Sequence, residues 1–252
     1  MNGHTRQGGG PCPICQHDTV QSEDQEYRRC IHCGIVRTRF GYNQKVYGQA
    51  YATTYVQYAE SPINASLNLF RLGLVSRWLK PKDRILDVGC CIGEFIRFAE
   101  HYYECVGYEP NSHAAIKARK RVSSKISGEL NGAISKVQCI TMFDVLEHVS
   151  DPKAFLIYLR DQYLLPGGII ALTTPNAAAI PMWNEELLRK WKHYKPEEHL
   201  FLYTELGLEW LFEDVGLKSV HWGLEESDIR PGNPNGDILT CVVRREEWTV
   251  SA

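Results

Sequence analysis

From residue 84 onward, short apolar runs alternate with longer amphipathic stretches. The runs have the length and composition of buried strands, and the stretches repeat apolar residues at helical spacing. We predict strands at Arg84–Val88, Glu104–Tyr108, Val137–Met142, Ile169–Thr174, about 218–222 and about 237–244. We predict helices at about 94–101, 114–121, 152–163 and 204–215, with Thr204 as the cap of the last. Strands separated by helices indicate an α/β fold with a doubly wound, mostly parallel sheet.

The chain before residue 81 has a different texture. Residues 1–10 are polar and glycine-rich and are predicted to be disordered, and residues 11–40 are a small cysteine-punctuated module with strands at Asp18–Gln21 and Gly34–Phe40. Residues 41–80 are predicted to be a helical connector, which leaves 81–246 for the α/β domain. The helix of the connector presents one apolar face, formed by Ile63, Leu67, Phe70, Leu74 and Trp78.

Composition narrows the class of protein. The formal net charge is -2, which argues against a surface built to bind nucleic acid or an anionic membrane. The chain has neither a signal peptide nor an apolar run long enough to span a membrane. Its nine cysteines are an odd number without a secretion signal, so a disulfide framework is not expected. These features predict a cytoplasmic protein.

Four of the cysteines form two matched pairs. Cys12, Cys15, Cys30 and Cys33 have the spacing C-x2-C-x14-C-x2-C. Four thiolates at this spacing can close a tetrahedral shell around Zn²⁺, with each pair holding the metal from a tight turn. A redox-active C-x-x-C is the alternative, but two matched pairs in so short a segment favour a structural zinc site.

The stretch after the first strand of the α/β domain is rich in glycine. Asp87, Gly89, Cys90 and Gly93 follow one another through a turn that leads into a helix. The two glycines let the backbone approach a ligand closely. The G-x-G-x-x-G pattern of dinucleotide-binding proteins is missing, and Asp87 would repel a phosphate but suits a ligand that carries ammonium and sulfonium groups. Glu109, at the end of the next strand, is placed to accept hydrogen bonds from ribose hydroxyls.

Several motifs in order resemble class I methyltransferases that use S-adenosylmethionine (SAM), in the subgroup of ubiquinone and sugar O-methyltransferases. The first is Asp87–Gly93 with Glu109, and the others are 140–152, 165–176 and 198–216. The resemblance covers about residues 65–245 and implies a Rossmann-like sheet of seven strands. It also implies SAM as cofactor, with contacts from Pro110, Met142, Phe143 and Asp144 besides the glycine loop. The acidic residue that usually contacts adenine is missing, which leaves Ser123, Ser124 or backbone groups for that role.

Methyl transfer to a hydroxyl needs alignment and a group that takes the proton. His148 and His199 are the candidate bases, with Glu147 placed to orient His148; a structural role in a loop is the alternative for both histidines. Residues 175–199 are long, aromatic and interrupted by prolines, which is typical of a lid over an acceptor.

The leading hypothesis is an O-methyltransferase for a sugar or other small metabolite. Methylation of carbon or nitrogen on a related substrate, methylation of RNA, and a zinc-dependent binding module with an inactive methyltransferase-like domain are the alternatives. The near-neutral charge argues against RNA, and the intact Asp87, Gly89, Gly93 and Glu109 argue against an inactive domain. The oligomeric state is left open.

Overall fold

The computed structural model describes residues 8–41, 53, 61–132, 134–181, 184–230 and 236–246. In them, the chain forms a seven-stranded sheet and a separate five-stranded sheet. The strands of the larger sheet are β5 (Arg84–Val88), β6 (Glu104–Tyr108), β7 (Lys125–Ser127), β8 (Val137–Phe143), β9 (Leu164–Pro175), β11 (Leu217–Gly223) and β12 (Ile238–Arg245).

The larger sheet has the strand order β11-β12-β9-β8-β5-β6-β7. The five strands from β9 to β7 pair in parallel, and β12 and β11 add to the β9 edge in antiparallel fashion. Helices cover both faces of a parallel sheet, which explains why β5 and β8 read as continuous apolar runs. The order reverses between β5 and β8, so the switch point lies at their carboxyl ends, where ligands bind in such sheets. The predicted α/β fold is confirmed.

The helices that the structure describes from end to end are α1 (Pro62–Ser76), α2 (Glu94–Ala99), α3 (Ser112–Arg121), α4 (Pro152–Gln162), α5 (Glu185–Lys190), α6 (Glu205–Asp214) and α7 (Glu225–Ile229). No helix among the described residues is long and apolar enough to cross a membrane. Residues 42–52 and 54–60 of the predicted connector lie outside the described residues.

The smaller sheet contains the cysteine module and one strand from the far end of the chain. Its order is β1 (Gly8–Pro11), β2 (Asp18–Gln21), β3 (Tyr27–Cys30), β4 (Val36–Thr38) and β10 (Phe201–Leu202). The module therefore begins at Gly8, inside the segment predicted to be disordered, because those backbone groups pair with β2. Since β10 pairs with β4, the module is hydrogen-bonded to the chain just before α6.

Candidate functional site

The glycine loop follows β5 and has a tightly constrained backbone. Gly89 and Gly93 have φ values of 70° and 82°, and Cys91 between them also has a positive φ of 48°. The backbone N–H groups of Gly89 and Cys90 both donate to the carbonyl of Tyr108, at 2.8 and 3.0 Å. A Cβ added at Gly89 would lie 2.7 Å from Cγ2 of Val145, so glycine is required where this loop packs against the chain after β8.

Glu109 reaches back from the end of β6 to the glycine loop. Its carboxylate accepts hydrogen bonds from the backbone N–H of Cys91 and of Asn111, both at 2.8 Å. Burial raises the pKa of Glu109, against the lowering effect of these two bonds. Pro110, the next residue, is exposed. Glu109 thus lies beside the loop, where its remaining lone pairs can accept hydrogen bonds from ribose hydroxyls.

Asp87 is almost completely buried at the end of β5. Thr141 in the neighbouring strand β8 donates a hydrogen bond to its carboxylate at 2.7 Å. Burial raises the pKa of Asp87 to about 7; the Thr141 bond and the charge of Arg71 oppose this shift, and Glu109 adds to it. A carboxyl group in this state is stabilised in its charged form by a cationic ligand.

Two of the predicted cofactor contacts have side chains in the apolar core instead. Met142 is fully buried among core residues, and Cys90 is 6% exposed and packs against the α2 side of the sheet. Phe143 is partly exposed, with its ring 5.1 Å from that of Phe95 and the guanidinium of Arg71 4.4 Å above it. At the end of β8, Met142 therefore has its side chain in the core, whereas Phe143 and the following Asp144 have partly exposed side chains.

Ser123 and Ser124, considered for adenine recognition, do not lie at this site. Their backbone N–H groups donate to the carboxylate of Glu100 at the end of α2. The short strand β7 begins directly after them, and its Ser127 carbonyl accepts the N–H of Glu109. The polar stretch that contains these serines ties α2 to the start of β7, whereas Glu109 lies beside the end of β7.

Asp144 belongs to a buried ion-pair network that sequence reasoning missed. It pairs with Arg71 of α1 at 3.4 Å and with Arg230 after α7 at 2.6 Å, and both arginines also pair with the fully buried Glu226. Burial raises the pKa of Asp144, but the two arginines outweigh it and lower the pKa to about 2. The network joins α1 and the end of α7 to the chain directly after β8. The available signal was the polar series Asn64, Asn68 and Arg71 within an otherwise apolar helix.

Glu147, His148 and His199 are brought together, but Nδ1 of His148 is held by the carbonyl oxygen of Glu198 at 2.8 Å, and the carboxyl of Glu147 accepts from Thr174. Glu147 and His148 lie in a short 3-10 turn after β8, and the N–H of Leu200 donates to the carbonyl of Glu147 at 2.8 Å. The rings of His148 and His199 are edge to face, with centroids 4.8 Å apart. Sequence reasoning did not include His193, whose ring stacks near His199 at 6.4 Å.

Glu147 and His199 are buried and His148 and His193 are half-buried, and burial is the largest cause of the pKa shift of each group. Burial and then the charge of Asp144 raise the pKa of Glu147 to about 8. Burial lowers the pKa of His148, and it lowers the pKa of His199 to about 3 with a contribution from the neighbouring His148. The pKa of His193 is lowered to about 4, again chiefly by burial. All three imidazoles are therefore neutral at pH 7.

The four paired cysteines converge in the smaller sheet. The Sγ atoms of Cys12 and Cys33 are 3.8 Å apart, those of Cys15 and Cys30 are 3.4 Å apart, and all four lie within 4.8 Å of one another. Thiolates in a tetrahedral zinc site, with Zn–S bonds of about 2.3 Å, are about 3.8 Å apart. All nine cysteines are free of disulfides. This group of thiols can hold a zinc ion.

The cysteine module packs on the segment that follows β9. The guanidinium of Arg29 donates to the carbonyls of Ala177 and Ile180, at 3.3 and 3.2 Å. Trp191 and Leu188 form an apolar cluster with Tyr27 of the module. The stretch from 175 to 199 is therefore not one long loop, since it contains α5 and rests on the module; its Met182 and Trp183 lie outside the described residues.

A family model described as a methyltransferase domain matches residues 63–221, which is more than half of the chain. The chain belongs to this family. It is a SAM-dependent methyltransferase, and its glycine loop, Glu109 and the β8 end all lie within the matched residues. No curated protein matches the sequence.

Solved structures share the fold of this methyltransferase at low sequence identity. A SAM-dependent methyltransferase from Thermotoga maritima is 16% identical, with a TM-score of 0.58 over 81% of this chain and 100% of the other. The plantazolicin methyltransferase BpumL, solved with S-adenosylhomocysteine, is 15% identical, with a TM-score of 0.57 over 79% and 91%. The [4+2]-cyclase SpnF is 17% identical, with a TM-score of 0.58 over 83% and 98%. A cyclase among these structures shows that the fold does not define the acceptor.

Proposed function

We propose that this methyltransferase transfers the methyl group of SAM to a hydroxyl of a small acceptor, a sugar or related metabolite, bound beside Glu147, His148 and His199. The observation that carries the proposal is the packing of Gly89 against Val145, two residues before Glu147. This contact brings the glycine loop and the cluster of imidazoles to the same edge of the sheet, at the switch point.

On the cofactor side, we propose that Glu109 accepts the ribose hydroxyls and that Asp87 attracts the ammonium group. SAM, when bound, supplies a methyl carbon activated by the positive charge on sulfur. The exposed Pro110 and the partly exposed Phe143 would border it. Asp144 would act indirectly: its ion pairs with Arg71 and Arg230 fix the chain that leads from β8 to Glu147.

On the acceptor side, the cluster combines neutral hydrogen-bonding groups with a closed surrounding. Glu147 and His199 are 0% and 7% exposed, and the carbonyls of Ala177 and Ile180 accept hydrogen bonds from Arg29 of the cysteine module. A buried polar site of this kind suits a small molecule that loses its water on binding. The net charge of -2 is a poor match for RNA. The free cysteines suit a reducing compartment, and we place the enzyme in the cytoplasm.

We further propose that Cys12, Cys15, Cys30 and Cys33 hold a structural zinc ion. The module has few apolar side chains of its own, and zinc would supply folding energy that a core of this size lacks. Because β4 pairs with β10, an ordered module would also fix the chain that carries His199.

The test combines SAM binding with a transfer assay. Calorimetry measures SAM affinity for the wild type, Glu109→Gln and, as a control, His101→Ala in the exposed turn after α2. We expect about a tenfold loss or more for Glu109→Gln, since hydrogen bonds to charged groups contribute about 1.5–3 kcal/mol each, and no change for His101→Ala.

Transfer is followed as S-adenosylhomocysteine released with a panel of sugars, nucleotide sugars, amines and RNA. We expect turnover with a hydroxyl acceptor, and His199→Ala to lower kcat by about 10²-fold or more while SAM affinity stays within about twofold. Transfer only to amines, to carbon or to RNA would show that the proposed hydroxyl acceptor is wrong. A folded protein that does not bind SAM would overturn the proposal.

A further inference from the structure

Three metal-ligating side chains meet at the acceptor side of the cleft. Glu147 and His148 come from the turn after β8, and His199 comes from the chain just before β10. One ligand atom from each residue lies within 4.8 Å of the other two. In the described part of the chain, they and the four paired cysteines are the two groups of this kind.

In each histidine, the ring nitrogen Nδ1 is hydrogen-bonded to a backbone carbonyl oxygen, as is usual for histidines that bind a metal ion through the other nitrogen. Nδ1 of His148 lies 2.8 Å from the carbonyl oxygen of Glu198, and Nδ1 of His199 lies 2.8 Å from that of His193. A carbonyl oxygen can only accept, so both rings donate through Nδ1 and carry a lone pair on Nε2. Histidines that bind metals usually donate their other N–H to such an acceptor, which orients the ring.

Glu147 supplies a second, independent observation. Its Oε2 accepts a hydrogen bond from the hydroxyl of Thr174 at 3.1 Å, and its side chain is fully buried. Oε1 is also buried, and within the described ranges it has no hydrogen-bond partner. A buried carboxyl oxygen without a partner is costly, and a cation beside it would supply that partner and stabilise the ionised form.

We propose that Glu147, His148 and His199 bind a divalent transition-metal ion, with Zn²⁺ as the best match, and that an acceptor oxygen completes its coordination. Two imidazoles and one carboxylate are a ligand set of catalytic zinc sites, in which three protein ligands leave a position for water or substrate. An acceptor hydroxyl that coordinates this metal ion would have a lowered pKa. Metal binding does not depend on the proposed acceptor; only the role of the open position rests on the proposed function.

The experiment counts zinc in the full-length protein. The wild type, Glu147→Gln, His199→Ala and the control His101→Ala are equilibrated with Zn²⁺, dialysed and analysed by mass spectrometry for bound metal. We expect Glu147→Gln and His199→Ala to hold one zinc fewer than the wild type, and His101→Ala to hold the same number. Equal zinc in all four proteins would overturn the proposal.

Adding Co²⁺ to the wild type tests the proposed site without any variant, so the test remains decisive if a variant does not fold. Co²⁺ is added to the zinc-loaded wild type after brief dialysis against a weak chelator, which leaves the four-cysteine site filled. Visible d–d bands without a thiolate-to-cobalt charge-transfer band are expected for a site with nitrogen and oxygen ligands; no such bands, or thiolate bands alone, would contradict it.

SAM binding and methyl transfer, measured on the same samples, separate the two proposals. A wild type that binds SAM and transfers methyl groups but holds no metal ion besides the one at the four cysteines overturns this inference alone. A second metal ion in a protein that transfers no methyl group overturns the proposed function alone.

Discussion

The hydroxyl of Thr204 donates a hydrogen bond to the carbonyl of Cys33 and accepts one from the N–H of Gly207 at 3.0 Å. One side chain therefore caps α6 and holds the turn of the second cysteine pair. A Cβ added at Gly207 would meet Ile35 of the module at 2.4 Å, so the contact is close along the first turn of the helix. The module and the methyltransferase domain share this helix start as a common boundary.

Thr204→Val keeps the shape of the side chain but removes both hydrogen bonds. Loss of an N-cap costs about 0.5–2 kcal/mol, and the buried carbonyl of Cys33 loses its side-chain donor. We expect the free energy of unfolding, measured in urea, to fall by about 2 kcal/mol. Thr204→Ser is the matched control, because it keeps the hydroxyl and should lose much less. A larger loss for Thr204→Ser than for Thr204→Val would show that the packing of the methyl group outweighs the two hydrogen bonds.

Gly89→Ala should impair SAM binding for two separable reasons. The alanine would be strained at a φ of 70°, and its Cβ would lie 2.7 Å from Cγ2 of Val145. We expect SAM affinity, measured by calorimetry, to fall at least tenfold. In the double variant with Val145→Ala the steric part is relieved, so affinity should recover in part but not fully. No recovery would mean that backbone strain alone accounts for the loss.

The sequence predicts the sheet and the glycine loop well because strand alternation and glycine turns are local signals. The strands β5, β6 and β8 begin where the apolar runs begin, and Glu109 contacts the glycine loop through the N–H of Cys91. By contrast, β7, β10, α5 and α7 were not predicted, because each is short and is held by distant partners. Strand β10, for example, has two residues and exists through its pairing with Val36 and Arg37.

The site was predictable where one motif supplies the residues and not where separate elements meet. Glu147 and His148 stand together in sequence, whereas the pairing of Arg71, Asp144 and Glu226 joins positions 155 residues apart at its extremes. An arginine in a helix reads as a solvated residue until its partner is known. Met142 stands next to the carboxyl end of β8, but this strand is buried along most of its length, so the side chain of Met142 lies in the core.

Removal of Arg230 should be strongly destabilising. Glu226 is fully buried, and in Arg230→Gln it shares Arg71 with Asp144 as the one remaining cation of the network. We expect a loss of about 3 kcal/mol or more in urea unfolding, as found when one partner of a buried ion pair is removed. Adding Glu226→Gln should restore a substantial part.

The matched control is an exposed ion pair on α5. Lys190 and Glu186 are 70% and 76% exposed, so Lys190→Ala should cost at most about 1 kcal/mol. Similar losses for Arg230→Gln and Lys190→Ala would contradict the distinction between the buried network and surface pairs.

SAM binding should release protons from Asp87. Its pKa is raised from 3.8 to about 7 by burial, so the folded protein without ligand keeps this carboxyl protonated between these values. Its contribution to stability is therefore lost as the pH rises from about 4 to 7 and is constant above that. A bound ammonium group favours the ionised form, so binding displaces the proton. We expect nearly one proton released per SAM at pH 6 and about a tenth at pH 8, with SAM affinity rising with pH up to about 7.

Calorimetry in buffers of different ionisation enthalpy measures this release directly. Asp87→Asn cannot ionise, so it should bind SAM more weakly and without the pH-dependent release, and it should be more stable than the wild type at pH 8 in the absence of SAM. Thr141→Val removes the hydrogen bond that lowers the pKa of Asp87, so it should extend the release to higher pH. If the proton release persists unchanged in Asp87→Asn, another group near the loop titrates, and the carboxyl of Asp87 does not sense the cofactor.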